Sequence, residues 1–190
     1  MKKIILLTAL LTLILLSCTT AYFPTEVNAP AFHAKNEFHG SLTYGNSGTN
    51  FLAGYSFLDN LAAIGGVSYL RTFGNQRDFQ RNWEFGLGYF SKLHKDKSVY
   101  GEIFAGFDIT ETRSQYTSHS LFSGTDGFEN ARYYRLFVQP DISFPFRNVD
   151  LIFAMKFSYF NFSFYERNGL VNKESPKAIG LEPAFTVRLG

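Results

Sequence analysis

The sequence predicts an all-β chain, an eight-stranded antiparallel up-and-down barrel of the transmembrane kind. Three observations point there. Residue type alternates with a period of two along most of the chain, the spacing of strands with two unlike faces. The connections between alternating runs are short at one end and mostly longer at the other, the layout of a bacterial membrane barrel. Aromatics reach 18 %, with 22 Phe and 11 Tyr, and suit interfacial girdles.

The alternation is clearest from Trp83 to Phe107. Trp83, Phe85, Leu87 and Tyr89, then Val99, Ile103, Ala105 and Phe107, form an almost wholly apolar set. The intervening Glu84, Gly86, Gly88 and Phe90, then Tyr100, Glu102, Phe104 and Gly106, mix glycine, carboxylate and aromatic. The turn His94 to Lys97 makes the two runs a hairpin. A soluble sandwich would turn the apolar set inward, and a membrane barrel would turn it to lipid.

Taken from the start, residues 1–17 read as an export signal. Lys2 and Lys3 precede the apolar run Ile4 to Leu16, which is short for a membrane span and is the only long apolar run in the chain. Leu15-Leu16-Ser17-Cys18 resembles a bacterial lipobox, a signal in which the cysteine is lipidated, with palmitate among its chains, and becomes the mature N-terminus. Cleavage after Thr19-Thr20-Ala21, a small-x-small site, is the alternative and leaves no lipid. Cys18 is the only cysteine, so no disulfide within the chain, Cys-ligated zinc or cysteine nucleophile is expected. Loss of Lys2 and Lys3 leaves 16 basic against 16 acidic residues, with no basic field for nucleic acid.

Residues 18–36 contain Pro24 and Pro30, show no periodicity, and are expected to form a lipid-anchored periplasmic leader. Tyr22-Phe23-Pro24, Asn28-Ala29-Pro30-Ala31-Phe32 and Lys35-Asn36-Glu37 follow the order Tyr-x-Pro, Asn-x-Pro, Lys-Gly-Glu, with Asn36 in place of the glycine. This resembles the start of uncharacterised Bacteroidetes outer-membrane β-barrel lipoproteins, and the likeness continues weakly through the strands. The resemblance implies a location and a fold. That family carries no established activity, so no active site is transferred.

The barrel domain is expected over 37–190. Its eight runs are Glu37–Tyr44, Asn50–Leu58, Leu61–Phe73, the two arms of the hairpin around 83–107, Tyr133–Phe146, Asp150–Phe164 and Ile179–Leu189. Asp59-Asn60, His94 to Lys97 and Arg147 to Val149 are the short turns. Asn46 to Gly48, Gly74 to Arg81, Thr110 to Arg132 and Tyr165 to Lys177 lie at the other end, the third being the longest loop. Pro140 and Pro183 fall inside strands, where each removes a ladder donor.

Following the alternation, Glu37, His39, Glu84, Glu102, Asp108, Arg135, Asp141, Lys156, Glu182 and Arg188 face away from the apolar set. Eight strands leave an interior just wide enough for side chains to fill. A paired-charge network of Glu84, Glu102, Asp108, Arg135, Asp141, Lys156, Glu182 and Arg188 is therefore expected to close the lumen against conduction. Glu84 with Glu102 also admits an acid–base reading.

His33, His39, His94 and His119 show no metal-ligand spacing within one element, and no cofactor or metal is expected. Arg113, Tyr116, His119, Phe122 and Phe128 are the expected contact surface of the longest loop. The chain thus reads as a non-enzymatic, structural or surface-binding lipoprotein of the bacterial outer membrane, anchored at Cys18. Its partners would be outer-membrane lipid and an extracellular or envelope protein. Two alternatives stand beside it. One is an outer-membrane enzyme modifying lipid or lipopolysaccharide, with Ser118 or Ser120, His119 and Asp126 converging. The other is a lipid-tethered soluble barrel that binds an apolar ligand.

Overall fold

In a computed structural model the described residues are 25–45, 48–72, 78–94, 98–120, 123–172 and 176–189, and the side chains of 116–126 are not among them. The chain is all-β. Its strands are β1 (Phe38–Gly45), β2 (Gly48–Ser56), β3 (Leu61–Arg71), β4 (Phe79–Lys92), β5 (Tyr100–Ser120), β6 (Ser123–Phe146), β7 (Val149–Arg167), the two-residue β8 (Leu170–Val171) and β9 (Lys177–Leu189). They form one antiparallel up-and-down sheet from β1 to β7, with β8 and β9 both paired to β7. The eight long strands fall on the eight expected runs.

The sheet curls into a barrel-like wall, and side chains on β6 and β7 reach across its hollow to β4. Among the described residues β1 pairs only with β2, and β9 only with β7. The curl is therefore a half-barrel in hydrogen-bonding terms. β1 and β9 flank a cleft of about 450 Å³ that Asn28, Pro30, His39, Leu52, Ile152 and Arg188 help to line.

The two faces sort as their period of two dictates. On β4 the outward Trp83, Phe85, Leu87 and Tyr89 are exposed, while Gln80, Asn82, Glu84 and Phe90 on the other face are buried. On β7 Phe153, Met155, Phe157 and Tyr159 are exposed, and Ile152, Ala154, Lys156, Ser158 and Phe160 are buried. The apolar set thus faces out and the charged set faces in.

The interior is narrow because glycine lines part of it. A Cβ at Gly106 would come within 2.7 Å of the Gly86 Cα, and one at Gly54 within 2.9 Å of the Phe32 ring. Phe90, Phe104, Phe137 and Ile64 fill the space that results.

One expectation is corrected by the fold. Thr110 to Arg132 is not a long loop. β5 and β6 run through it, paired in unbroken register from Tyr100–Ser143 to Ser120–Ser123. Thr110, Thr112 and Ser114 point inward and are buried, while Arg113 and Arg132 are exposed. β4 accompanies β5 only to Arg113, and β7 accompanies β6 only to Glu129. The remainder is a two-stranded hairpin standing about 20 Å beyond its neighbours.

The two strand prolines sit where a missing donor is tolerated. Pro140 is in a gap of the β6–β7 ladder, whose pairs pass from Val138–Phe157 to Asp141–Ala154. Pro183 is on the edge strand β9.

Candidate functional site: the strapped lumen

Two polar clusters occupy the hollow, and both arise from inward positions of successive strands. The first is built on Arg135 of β6. Its Nε donates to Asp108 on β5, its register partner, in a very close contact. Its other nitrogens reach Glu182 on β9 at 2.8 Å and Glu84 on β4 at 3.5 Å. Lys156 of β7 donates to Glu84 Oε2 at 2.7 Å and sits 4.6 Å from the Phe137 ring centre. Arg135 and Lys156 are about as buried as any residue in the molecule, at 1 % and 0 % exposure. Charges so removed from water persist because they are paired and hydrogen-bonded at once.

The second cluster holds the chain upstream of β1. Residues 25–34, within the expected leader, form a strap along the inside of the sheet. Ala31 and Phe32 donate successive backbone N–H groups to the Glu102 carboxylate, at 3.1 and 2.6 Å. Two adjacent amides aimed at one carboxylate need a bend, and Ala31 supplies it with a φ of 55°. Arg188 donates to the carbonyls of Pro30 and Ala31, to Asp150 and to His39 Nδ1. Gln139 donates to the Asn28 carbonyl at 2.8 Å, and Asn28 in turn donates to the carbonyls of Ala53 and Gly65. Phe32 is fully buried against Phe90 and His39, with ring centres 5.6 and 5.2 Å away.

The strap has a direction. Thr25 accepts a hydrogen bond from Arg135, and Glu26 accepts one from Thr43 near the far end of β1. Pro30 and Phe32 pack against Gly54, the register partner of His39 near the start of β1. His33 lies on the Tyr100 ring, and Ser56 donates to the Ala34 carbonyl. The chain then turns through Asn36, whose φ is 64°, into β1. The strap therefore runs antiparallel to β1, toward the end of the short turns.

The residues of the expected charge network fall into these two clusters and not into one unit. Glu84 and Glu102 do not converge. Glu84 pairs with Asp108 in register and Glu102 with Phe90, six residues along β4. Asp141 is opposite Glu102, and its described partner is Gln139 rather than a base. Gln139 Oε1, Asp141 Oδ1 and Ser143 Oγ, on successive inward positions of β6, have no hydrogen-bond partner among the described residues.

Of the expected contact surface, Arg113 is an exposed residue of β5. Phe128 is an exposed residue of β6, tied by its backbone to Asn168 beyond β7. The backbones of Tyr116 and His119 are in β5, but their side chains lie outside the described residues, as do Phe122 and Cys18. The Ser118, Ser120, His119 and Asp126 side chains of the enzyme reading also lie there. Among the described residues no three His, Cys, Asp or Glu are placed to hold a metal ion.

Sequence reasoning missed the strap residues Asn28, Pro30 and Phe32, and Gln139 of β6, which holds Asn28. A leader has no alternation to place it. The one available signal was Gly54, a small residue at an inward position facing bulky leader groups. Comparison with protein-family models, curated proteins and solved structures returned no match.

Proposed function

We propose that the chain is a small outer-membrane β-barrel lipoprotein, anchored through Cys18, with a structural or surface-binding role and a closed, non-conducting lumen. The observation that carries this reading is the sorting of faces, apolar residues outward and ion pairs inward. A row of register partners, Arg81, Glu111 and Arg132, bounds the outward apolar band at the hairpin end. From Arg81 to Ser91, about 3.3 Å per residue at a tilt of about 40° gives a band about 25 Å tall, the thickness a bilayer core asks of such a wall. Trp83 and Tyr134 lie just inside that row, and Tyr89 near the other edge, where interfacial aromatics belong.

In lipid, the free edges of β1 and β9 must pair or be covered, since unsatisfied backbone groups cost several kcal/mol each. Arg188, which joins β9 to His39 of β1 at 3.0 Å, supports closure at that seam. The packed lumen disfavours an apolar ligand inside, and the charged pairs have structural partners that account for them. The chain's contacts would be lipid around the wall and an extracellular or envelope protein at the hairpin of β5 and β6.

The test is membrane fractionation with gel mobility before and after heating, for wild type and Cys18→Ala. Sedimentation of both with outer membranes, and a fast unheated band, is the expected result. A Cys18→Ala protein that is folded and soluble would overturn the lipid-facing assignment.

A further inference from the structure

The outer face of the wall carries a basic edge above an apolar groove. On the neighbouring strands β4, β5 and β6, Arg81, Glu111 and Arg132 are register partners in one row, and Arg113 is one outward position nearer the hairpin tip on β5. All three arginines are exposed. Arg132 meets Glu111 at 3.3 Å with both side chains partly in solvent, so this pair is weak and readily exchanged. Arg81 lies over the Trp83 ring, 6.0 Å from its centre. Among the described residues neither Arg81 nor Arg113 has a carboxylate within ion-pair distance. Three guanidinium groups therefore share one carboxylate, and Glu166 is a strand further on, opposite Asn130.

On the side of the row away from the hairpin, the same three strands form an open groove of about 530 Å³. Trp83, Ile109 and Tyr134 cross it in register, followed by Phe107 and Leu136. Each of these side chains is about half exposed. Arg81, Glu111 and Arg132 form the rim of the groove.

We propose that this groove and its arginine rim bind a lipid with two headgroup phosphate monoesters and several acyl chains. This rests on the membrane-barrel reading and names the lipid that the wall holds at its hairpin end. The arginine stems can lie along the apolar wall while their guanidinium groups reach headgroup level. A guanidinium fork pairs with phosphate oxygens through two parallel hydrogen bonds. A phosphate monoester carries about −1.5 to −2 charges near neutral pH, more than the diester of an ordinary phospholipid. Arg81 and Arg132 are two strands apart, about 10 Å, with Glu111 between them. One phosphate does not bridge that gap past a carboxylate, whereas two phosphates on one headgroup can flank it. The groove is as wide as the row, which suits more than one acyl chain beneath a single headgroup.

The experiment uses the full chain reconstituted in phosphatidylcholine vesicles, with the emission of Trp83, the only tryptophan and part of the groove, as the readout. The probes titrated into the vesicles are lipid A, which has this chemistry, lipid A stripped of both phosphates, and phosphatidylglycerol at matched charge. The expected result is a saturable response to lipid A at a mole fraction well below that needed for phosphatidylglycerol, and none to the stripped form. Arg81→Gln/Arg132→Gln should raise the half-saturation point by about tenfold, the scale of lost hydrogen bonds to a charged group. Arg147→Gln, in the turn between β6 and β7 at the opposite end, should leave it unchanged. An equal response to phosphatidylglycerol or to stripped lipid A, or an unchanged half-saturation point in the double variant, overturns the proposal and leaves the barrel reading intact. Quenching of Trp83 by aqueous acrylamide before any titration tests that reading separately: a fully quenched Trp83 means that the wall is not in lipid, and this proposal fails with it.

Discussion

The Lys156–Glu84 pair offers a quantitative test of a dry, plugged lumen. Glu84→Gln leaves the ammonium of Lys156 facing a neutral amide. Among the described residues Lys156 has no second carboxylate within ion-pair distance, and its exposure is 0 %. Breaking a buried pair from one side costs about 3–5 kcal/mol, and this variant should fall at the upper end. Lys156→Met should fall at the lower end, because Glu84 keeps Arg135 at 3.5 Å. The double variant removes both charges and should be milder than the sum of the singles by about 2 kcal/mol, within the range for directly coupled residues. Against a total stability of about 5–15 kcal/mol, either single change is large. With a urea slope of about 1–3 kcal/mol/M, it should lower the midpoint by about 1–5 M. The assay is urea unfolding in micelles followed by fluorescence of Trp83, the only tryptophan, which is exposed on the outer face. Losses below about 1 kcal/mol in both single variants, with no coupling, would be the behaviour of exposed pairs. That result would refute the packed interior.

Four other substitutions probe other parts of the account. Gly106→Ala should abolish the folded, fast-migrating gel band, since its Cβ would be forced into the Gly86 backbone; Gly45→Ala, with nothing within 4 Å of its Cβ, should leave that band unchanged. Phe157→Arg, on the outward face of β7, should destabilise the protein in bilayers by about 2–4 kcal/mol if it lies near the membrane midplane, read from urea titrations in vesicles; a neutral effect would count against lipid contact there. Phe32→Ala should cost about 3–5 kcal/mol, as for other buried aromatics, and should raise trypsin cleavage at Lys35; unchanged stability would mean that the strap does not hold the lumen together.

The wall was legible because each strand carries its own contrast. Leu87 beside Gly86 and Gly88, or Phe157 beside Lys156 and Ser158, marks two faces without reference to any other strand. From Thr110 to Arg132 that contrast disappears, because both faces become polar: Thr112 and Ser114 inward, Glu111 and Arg113 outward. A strand pair polar on both faces keeps its backbone geometry but carries no hydrophobic signature, so the sequence there reads as a loop. The inward charges were legible as a set. Their partners were not, because Lys156 meets Glu84, on a strand that is not its neighbour in the sheet, only when the sheet curls. The strap was the least legible part. Its position depends on Glu102, Gln139 and Arg188, each far along the chain, and on a left-handed turn at Ala31, a residue that gives no hint of one.

The central claim is that the outward face of the wall meets lipid. The most direct measurement is a spin-label scan of β4 in a Cys18→Ala background, with single cysteines from Asn82 to Phe90 in reconstituted bilayers. Accessibility to oxygen and to a water-soluble nickel complex would be compared at each position. The account predicts a period of two, with oxygen reaching Trp83, Phe85, Leu87 and Tyr89, the nickel complex excluded from them, and neither reagent reaching Glu84 or Phe90. Nickel access at Phe85 and Leu87, in the middle of the band, would contradict it and return the chain to water.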